Sequence, residues 1–95
     1  MAKQTIQSII NQADLQTKKE IKIILDAFGK WSDIYAKAVP GGNKALGAKL
    51  VEISSRTASQ VSSESILLVS KSTTEGTLNN TYLATLLMMK QRQAS

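Results

Sequence analysis

Asp26 and Asp33 stand seven residues apart, a spacing that would bring both carboxylates to one face of a helix, where a pair of acids can divide general acid and general base roles. Such chemistry needs a cleft that perturbs at least one carboxyl. Here both fall on a polar side populated by lysines, so a solvated charge pattern explains them better. Gly41-Gly42-Asn43-Lys44 has the glycines and the lysine of a phosphate-cradling turn. It lacks the full glycine spacing and the hydroxyl residue after the lysine, and no strand pattern precedes it. A plain turn, with at most a loosely held anion, accounts for it. Several serines lie near Arg56 and Lys71, but a serine nucleophile also requires a base and an oxyanion site, and nothing beyond proximity suggests either. The chain contains no cysteine and no histidine, which removes thiol nucleophiles, disulfides, thiolate zinc sites and imidazole acid–base chemistry. The sequence therefore assigns no catalytic, cofactor-binding or metal-ligating residue and no cofactor, and the expectation is a protein that is not an enzyme.

Aromatic side chains offer another kind of chemistry. Phe28, Trp31 and Tyr35 succeed one another at helical spacing, and bases of single-stranded nucleic acid stack on such rings when cations are interleaved. Lys30 and Lys37, however, project about 100–140° away from the aromatic row on a helix. The rings and the cations do not share one ligand, so the rings read as anchors of a core or an interface.

The element that positions them is a long amphipathic helix. Ile6, Ile10, Ala13, Thr17, Ile21, Ile24, Phe28, Trp31, Tyr35 and Ala38 recur every three or four residues and define one stripe. This predicts a helix over 5–38, about 50 Å long at 1.5 Å per residue. Thr17-Lys18-Lys19-Glu20 matches a capping box and Gly29 weakens a helix interior, but the stripe keeps its phase through both. Val39-Pro40-Gly41-Gly42-Asn43 then forces a turn, because proline disfavours helix before it, glycine permits positive φ and asparagine can cap the next helix. A second stripe of Leu46, Leu50, Ile53, Thr57, Val61 and Leu68 predicts a helix over 44–72. Its middle, the serine-rich stretch 54–65, is made of poor helix formers, which leaves its continuity open. Glu64 falls near the centre of that stripe with Lys71 two turns later, which suits either a polar register pin or a solvated pair. Ser72 to Thr77, with Gly76, marks a second break. A last helix over 77–92 carries Leu78, Tyr82, Leu86 and Met89 on one face and Leu83, Leu87 and Met88 elsewhere. A helix so apolar all round is normally covered on more than one side.

Charge adds a further candidate surface. With 12 basic and 7 acidic residues the chain carries +5, much of it between Lys18 and Lys49. Lys18, Lys22, Lys30, Lys37, Lys44 and Lys49 are the candidate contacts for a polyanion such as nucleic acid or anionic lipid. The same lysines, spread over many turns, also suit an ordinary solvated face. The longest apolar runs are too short to span a bilayer, and the first residues lack the apolar centre of a cleavable signal peptide. The expected location is the cytoplasm, or outside the cell by a route without such a signal.

These observations predict one all-α domain over 1–95, a long antiparallel hairpin with a shorter C-terminal helix. A chain of 95 residues without staples leans on idealised helix packing or on partner subunits. The expected partners are copies of itself or neighbouring subunits, with Ile24, Phe28, Trp31, Tyr35, Leu50, Ile53, Tyr82, Leu83, Leu86 and Leu87 as interface candidates. The outline of long helix, Pro-Gly-Gly-Asn turn, second helix rich in Ser and Thr, and apolar last helix resembles the small exported helical hairpins of bacterial secretion rods, needles and pili. It also resembles small phage structural proteins. The likeness is one of design and carries over no functional residue. Alternatives of another class are a monomeric helical inhibitor or adaptor of the immunity-protein kind, and a basic binder of nucleic acid or anionic surfaces.

Overall fold

A computed structural model describes residues 5–37, 42–72 and 78–94, with Asn43 described in its backbone alone. The chain is all-helical over these residues. Five helices appear among them: α1 (Ile6–Gln12), α2 (Leu15–Ala36), α3 (Gly42–Ala58), α4 (Ser63–Ser70) and α5 (Asn80–Ala94). Ala38 at the end of the first predicted helix, residues 39–41 of the predicted turn, the side chain of Asn43 and residues 73–77 of the second break lie outside the described residues.

Two of the three predicted helices are divided. The helix expected over 5–38 breaks at Ala13 and Asp14. Thr5 opens α1, its Oγ1 accepting from the Ser8 N–H at 3.1 Å, and Asp14 opens α2, its Oδ1 accepting from the Thr17 N–H at 2.8 Å. Aspartate is among the best N-cap residues because its carboxylate satisfies an amide that has no partner within the helix. The helix start is therefore at Asp14 and not at the Thr17–Glu20 capping box, and Glu20 is used elsewhere. The periodicity runs through this break because Ala13 and Asp14 include no large apolar side chain whose misplacement would betray it. Gly29 lies within α2, as expected.

The helix expected over 44–72 breaks inside the serine-rich stretch. Near the end of α3, Thr57 Oγ1 donates back to the Ile53 carbonyl at 2.8 Å and Ser59 Oγ to the Arg56 carbonyl at 2.7 Å. Hydroxyls that serve the last carbonyls compete with continuation of the helix. The backbone then tightens, with the Gln60 N–H bonding the Thr57 carbonyl at 3.0 Å. Ser62 starts α4, its Oγ accepting from the Ser65 N–H at 3.2 Å. Gly42 begins α3 with φ of 70°, the left-handed region that glycine enters without strain. Before α5, Asn79 Oδ1 accepts from the Thr81 N–H at 2.7 Å. The helix continues to Ala94, two residues past the expected end.

Packing is set by where the apolar faces fall. The α2 helix lies on α3 and α4, α5 packs on α3 and α4, and α1 covers part of α2 and α4. Ile21, Ile24, Ile66, Tyr82 and Leu86 are completely buried at the centre. The Phe28 and Tyr82 rings meet with centroids 5.8 Å apart, joining α2 to α5. The last helix, expected to need partner subunits on its far side, finds two neighbours in its own chain. The longest dimension is 41 Å, shorter than the unbroken first helix would have been.

Candidate interaction surface

Burial sorts the ten interface candidates into three groups. Ile24, Trp31, Leu50, Ile53, Tyr82 and Leu86 are buried within the chain itself, and Phe28, Leu83 and Leu87 are half-buried. Tyr35 alone of the ten is exposed, at 58%. The structure thus brings most of the set together as the core of one chain, where the sequence cannot distinguish an internal helix contact from one between molecules.

Tyr35 is held in a definite place. Its ring sits 5.4 Å from that of Trp31, tilted by 55°, while Trp31 is only 4% exposed. A buried indole one turn earlier on α2 thus backs an aromatic ring that faces solvent. Four further large apolar side chains are exposed: Leu15 at the start of α2, Val51 on α3, Leu67 on α4 and Met88 on α5. Leu15, Val51 and Leu67 escape the sequence pattern because they stand off the stripes, and that lack of phase is itself the available signal.

Open grooves also mark the surface of the described residues, and two of them are lined by other side chains. One, of about 190 Å³, runs between α2 and α3 over Ile23, Ala27, Ile53 and Thr57, and Asp26, Lys30, Arg56 and Gln60 also line it. Asp26 lines this groove with Lys30 and Arg56, whereas Asp33, exposed two turns later on α2, does not. The two carboxylates thus share no groove lining and stand exposed on α2. The other groove, of about 200 Å³, lies at the seam of α1 and α4 and is lined by Ile9, Gln12, Ala13 and Leu68. Among the described residues no three acidic side chains gather where they could hold a metal ion, and no helix is long and apolar enough to cross a membrane.

The polyanion candidates Lys18, Lys22, Lys30, Lys37, Lys44 and Lys49 are all exposed. Lys49 shares Glu52 with Arg56, at 3.3 and 2.8 Å, in a solvent-exposed group. Exposed pairs of this kind contribute little to stability. Glu64 and Lys71, considered as a register pin, are both exposed, with Glu64 in the first turn of α4.

Among the described residues the acid that enters the interior is Glu20, 8% exposed. Its Oε1 accepts from the Ser62 N–H at 2.7 Å and from the Ser65 hydroxyl at 2.8 Å, and its Oε2 from the Gln16 amide at 2.9 Å. These donors, Gln16 first, hold the carboxyl at about 2. Each stabilises the charged form, and together they outweigh the cost of burial. The arrangement links α2 to the start of α4. Searches with the sequence and the structure against known protein families, curated proteins and solved structures returned no match.

Proposed function

We propose that this chain works by association, as a non-enzymatic helical subunit that docks on other proteins or on copies of itself. The observation that carries this reading is the Trp31–Tyr35 pair: a ring 58% exposed yet held against a buried indole. A preordered aromatic ring loses little conformational freedom on binding, and such residues dominate the energetics of protein interfaces. Exposed Leu15 on α2, Val51 on α3, Leu67 on α4 and Met88 on α5 add further apolar surface. In this reading the subunit belongs to an assembly of the secretion, pilus or phage-particle kind, and Tyr35 is its principal anchor among the ten interface candidates.

Sedimentation over a wide concentration range tests the association with copies of itself. Wild-type chain should gain mass with concentration, and Tyr35→Ser should gain less while melting at nearly the same temperature. A concentration-independent species at the chain mass of 10.3 kDa would instead favour the monomeric inhibitor or adaptor.

The exposure of all six candidate lysines favours a second reading, a basic surface for a polyanion. Affinity for a nucleic acid duplex should then fall steeply as salt rises, because bound phosphates release their counterions. Binding that ignores salt would remove this reading.

A further inference from the structure

We infer that α1 and α4 form a layer able to open from the rest of the fold, and that Glu20 is the latch that keeps it closed. Both helices are short, seven and eight residues, below the length at which a helix persists in water without tertiary support. Non-helical residues bound them on the inner side, Ala13 and Asp14 after α1 and residues 59–62 before α4. Among the stronger helix contacts α1 rests on α2 and α4, and α4 rests on α2 and α5, so opening parts this layer from α2 and α5 while α1 and α4 stay together. Their own seam is loosely filled, as the groove of about 200 Å³ between Ile9, Gln12, Ala13 and Leu68 indicates.

The polar contacts between α2 and the first turn of α4 converge on one oxygen, beside the apolar packing of Ile66 and Val69 in the core. Glu20 Oε1 takes both the Ser62 N–H and the Ser65 hydroxyl, while Gln16, one turn earlier on α2, braces the other oxygen. Helix starts carry unpaired amides and a positive dipole end, so a carboxylate there is favoured, and its removal strands the donors. Opening would uncover Ile6, Ile9, Ile66 and Val69, now 0–7% exposed. Those side chains form an apolar surface of the sort the proposed association uses, and to that extent the inference rests on that reading.

Hydrogen exchange of the full chain at neutral pH tests the latch. In Glu20→Gln the amides of α1 and α4 should exchange about tenfold faster or more, with those of α2, α3 and α5 unchanged. Ser65→Ala, which keeps the carboxylate and removes one donor, should give the same pattern with a smaller factor. Equal acceleration in all helices, or none in α1 and α4, overturns the latch. If Glu20→Gln does not fold, the Ser65→Ala pattern decides by the same criterion. Sedimentation of the wild-type chain reports on self-association separately, so a monomer that still opens at α1 and α4 would refute association with copies of itself and keep the latch.

Discussion

Glu20 Oε1 accepts the backbone N–H of Ser62 at 2.7 Å, joining α2 to the start of α4 across 42 positions of chain. The carboxyl lies at about 2 in the fold against 4.5 for a free glutamate, because the Gln16, Ser62 and Ser65 donors favour its charged form. A carboxyl depressed by folding contributes its full stability above the unfolded value and loses it as pH falls from about 4.5 toward 2. Asp14 is lowered as well, chiefly by the Thr17 N–H, and adds to the same trend with a solvent-screened share.

Glu20→Gln isolates this contribution. At pH 7 the variant should be less stable by about 1–3 kcal/mol, the usual cost of losing charge-assisted hydrogen bonds to a buried group. The deficit should shrink as pH drops below 4.5, since the wild-type carboxyl then begins to lose its advantage over a neutral amide. Urea melts of both proteins from pH 2 to pH 7 give the comparison. Parallel curves with a constant gap would mean that Glu20 acts through packing alone.

Trp31 and Tyr35 touch, yet their substitutions should separate cleanly. Trp31→Ala empties a site only 4% exposed and should cost about 3–5 kcal/mol, the range for a large buried aromatic. Tyr35→Ser removes an exposed ring and should cost under about 1 kcal/mol of stability, its effect appearing in subunit association. Chemical denaturation and sedimentation on the same samples provide the contrast. A Tyr35 variant as unstable as the Trp31 variant would place Tyr35 in the core and leave the surface without its anchor.

The helical character of the chain is legible because period and apolar content agree over most of its length. The stripe through Ile21, Ile24 and Trp31 marks buried positions correctly. Helix breaks are harder to see. Asp14 and Ser62 end one helix and begin another through hydrogen bonds of single side chains, and such capping leaves the apolar period nearly undisturbed. Glu20 fits a local capping box because three residues separate it from Thr17, whereas its partners on α4 lie beyond position 60, a contact that no local pattern encodes. The candidate surface is legible only in part. Tyr35 belongs to the stripe, but whether a stripe position is covered is a property of packing that the period does not carry.

The α5 helix also braces the end of α3. Lys90 Nζ donates to the Ala58 carbonyl at 3.1 Å and Gln93 Nε2 to the Ser55 carbonyl at 3.2 Å. The last carbonyls of a helix lack partners within it and carry the negative dipole end, so an ammonium there is favourable. Lys90→Met keeps most of the apolar stem and removes the charge, and it should cost about 1 kcal/mol. The loss should persist at high salt, because Lys90 is half-buried and its bond is direct. A loss abolished by salt would reduce the contact to long-range attraction.

Two substitutions should stabilise the chain. Ser54 is completely buried on α3, and its Oγ has no hydrogen-bond partner. A buried hydroxyl without a partner carries its full desolvation cost, and alanine is also the better helix former, so Ser54→Ala should gain about 0.5–1 kcal/mol. Gly29 lies within α2, is exposed, and has no neighbouring atom within 4 Å of where a Cβ would stand. Gly29→Ala should gain about 0.5–1 kcal/mol by restricting the unfolded chain at a position the helix already satisfies. The two sites lie on different helices, one buried and one exposed, so their effects should add in the double variant. A thermal melt of each single variant and the double variant decides. If Ser54→Ala destabilises, its hydroxyl has a partner in solution, such as a bound water, that offsets its burial.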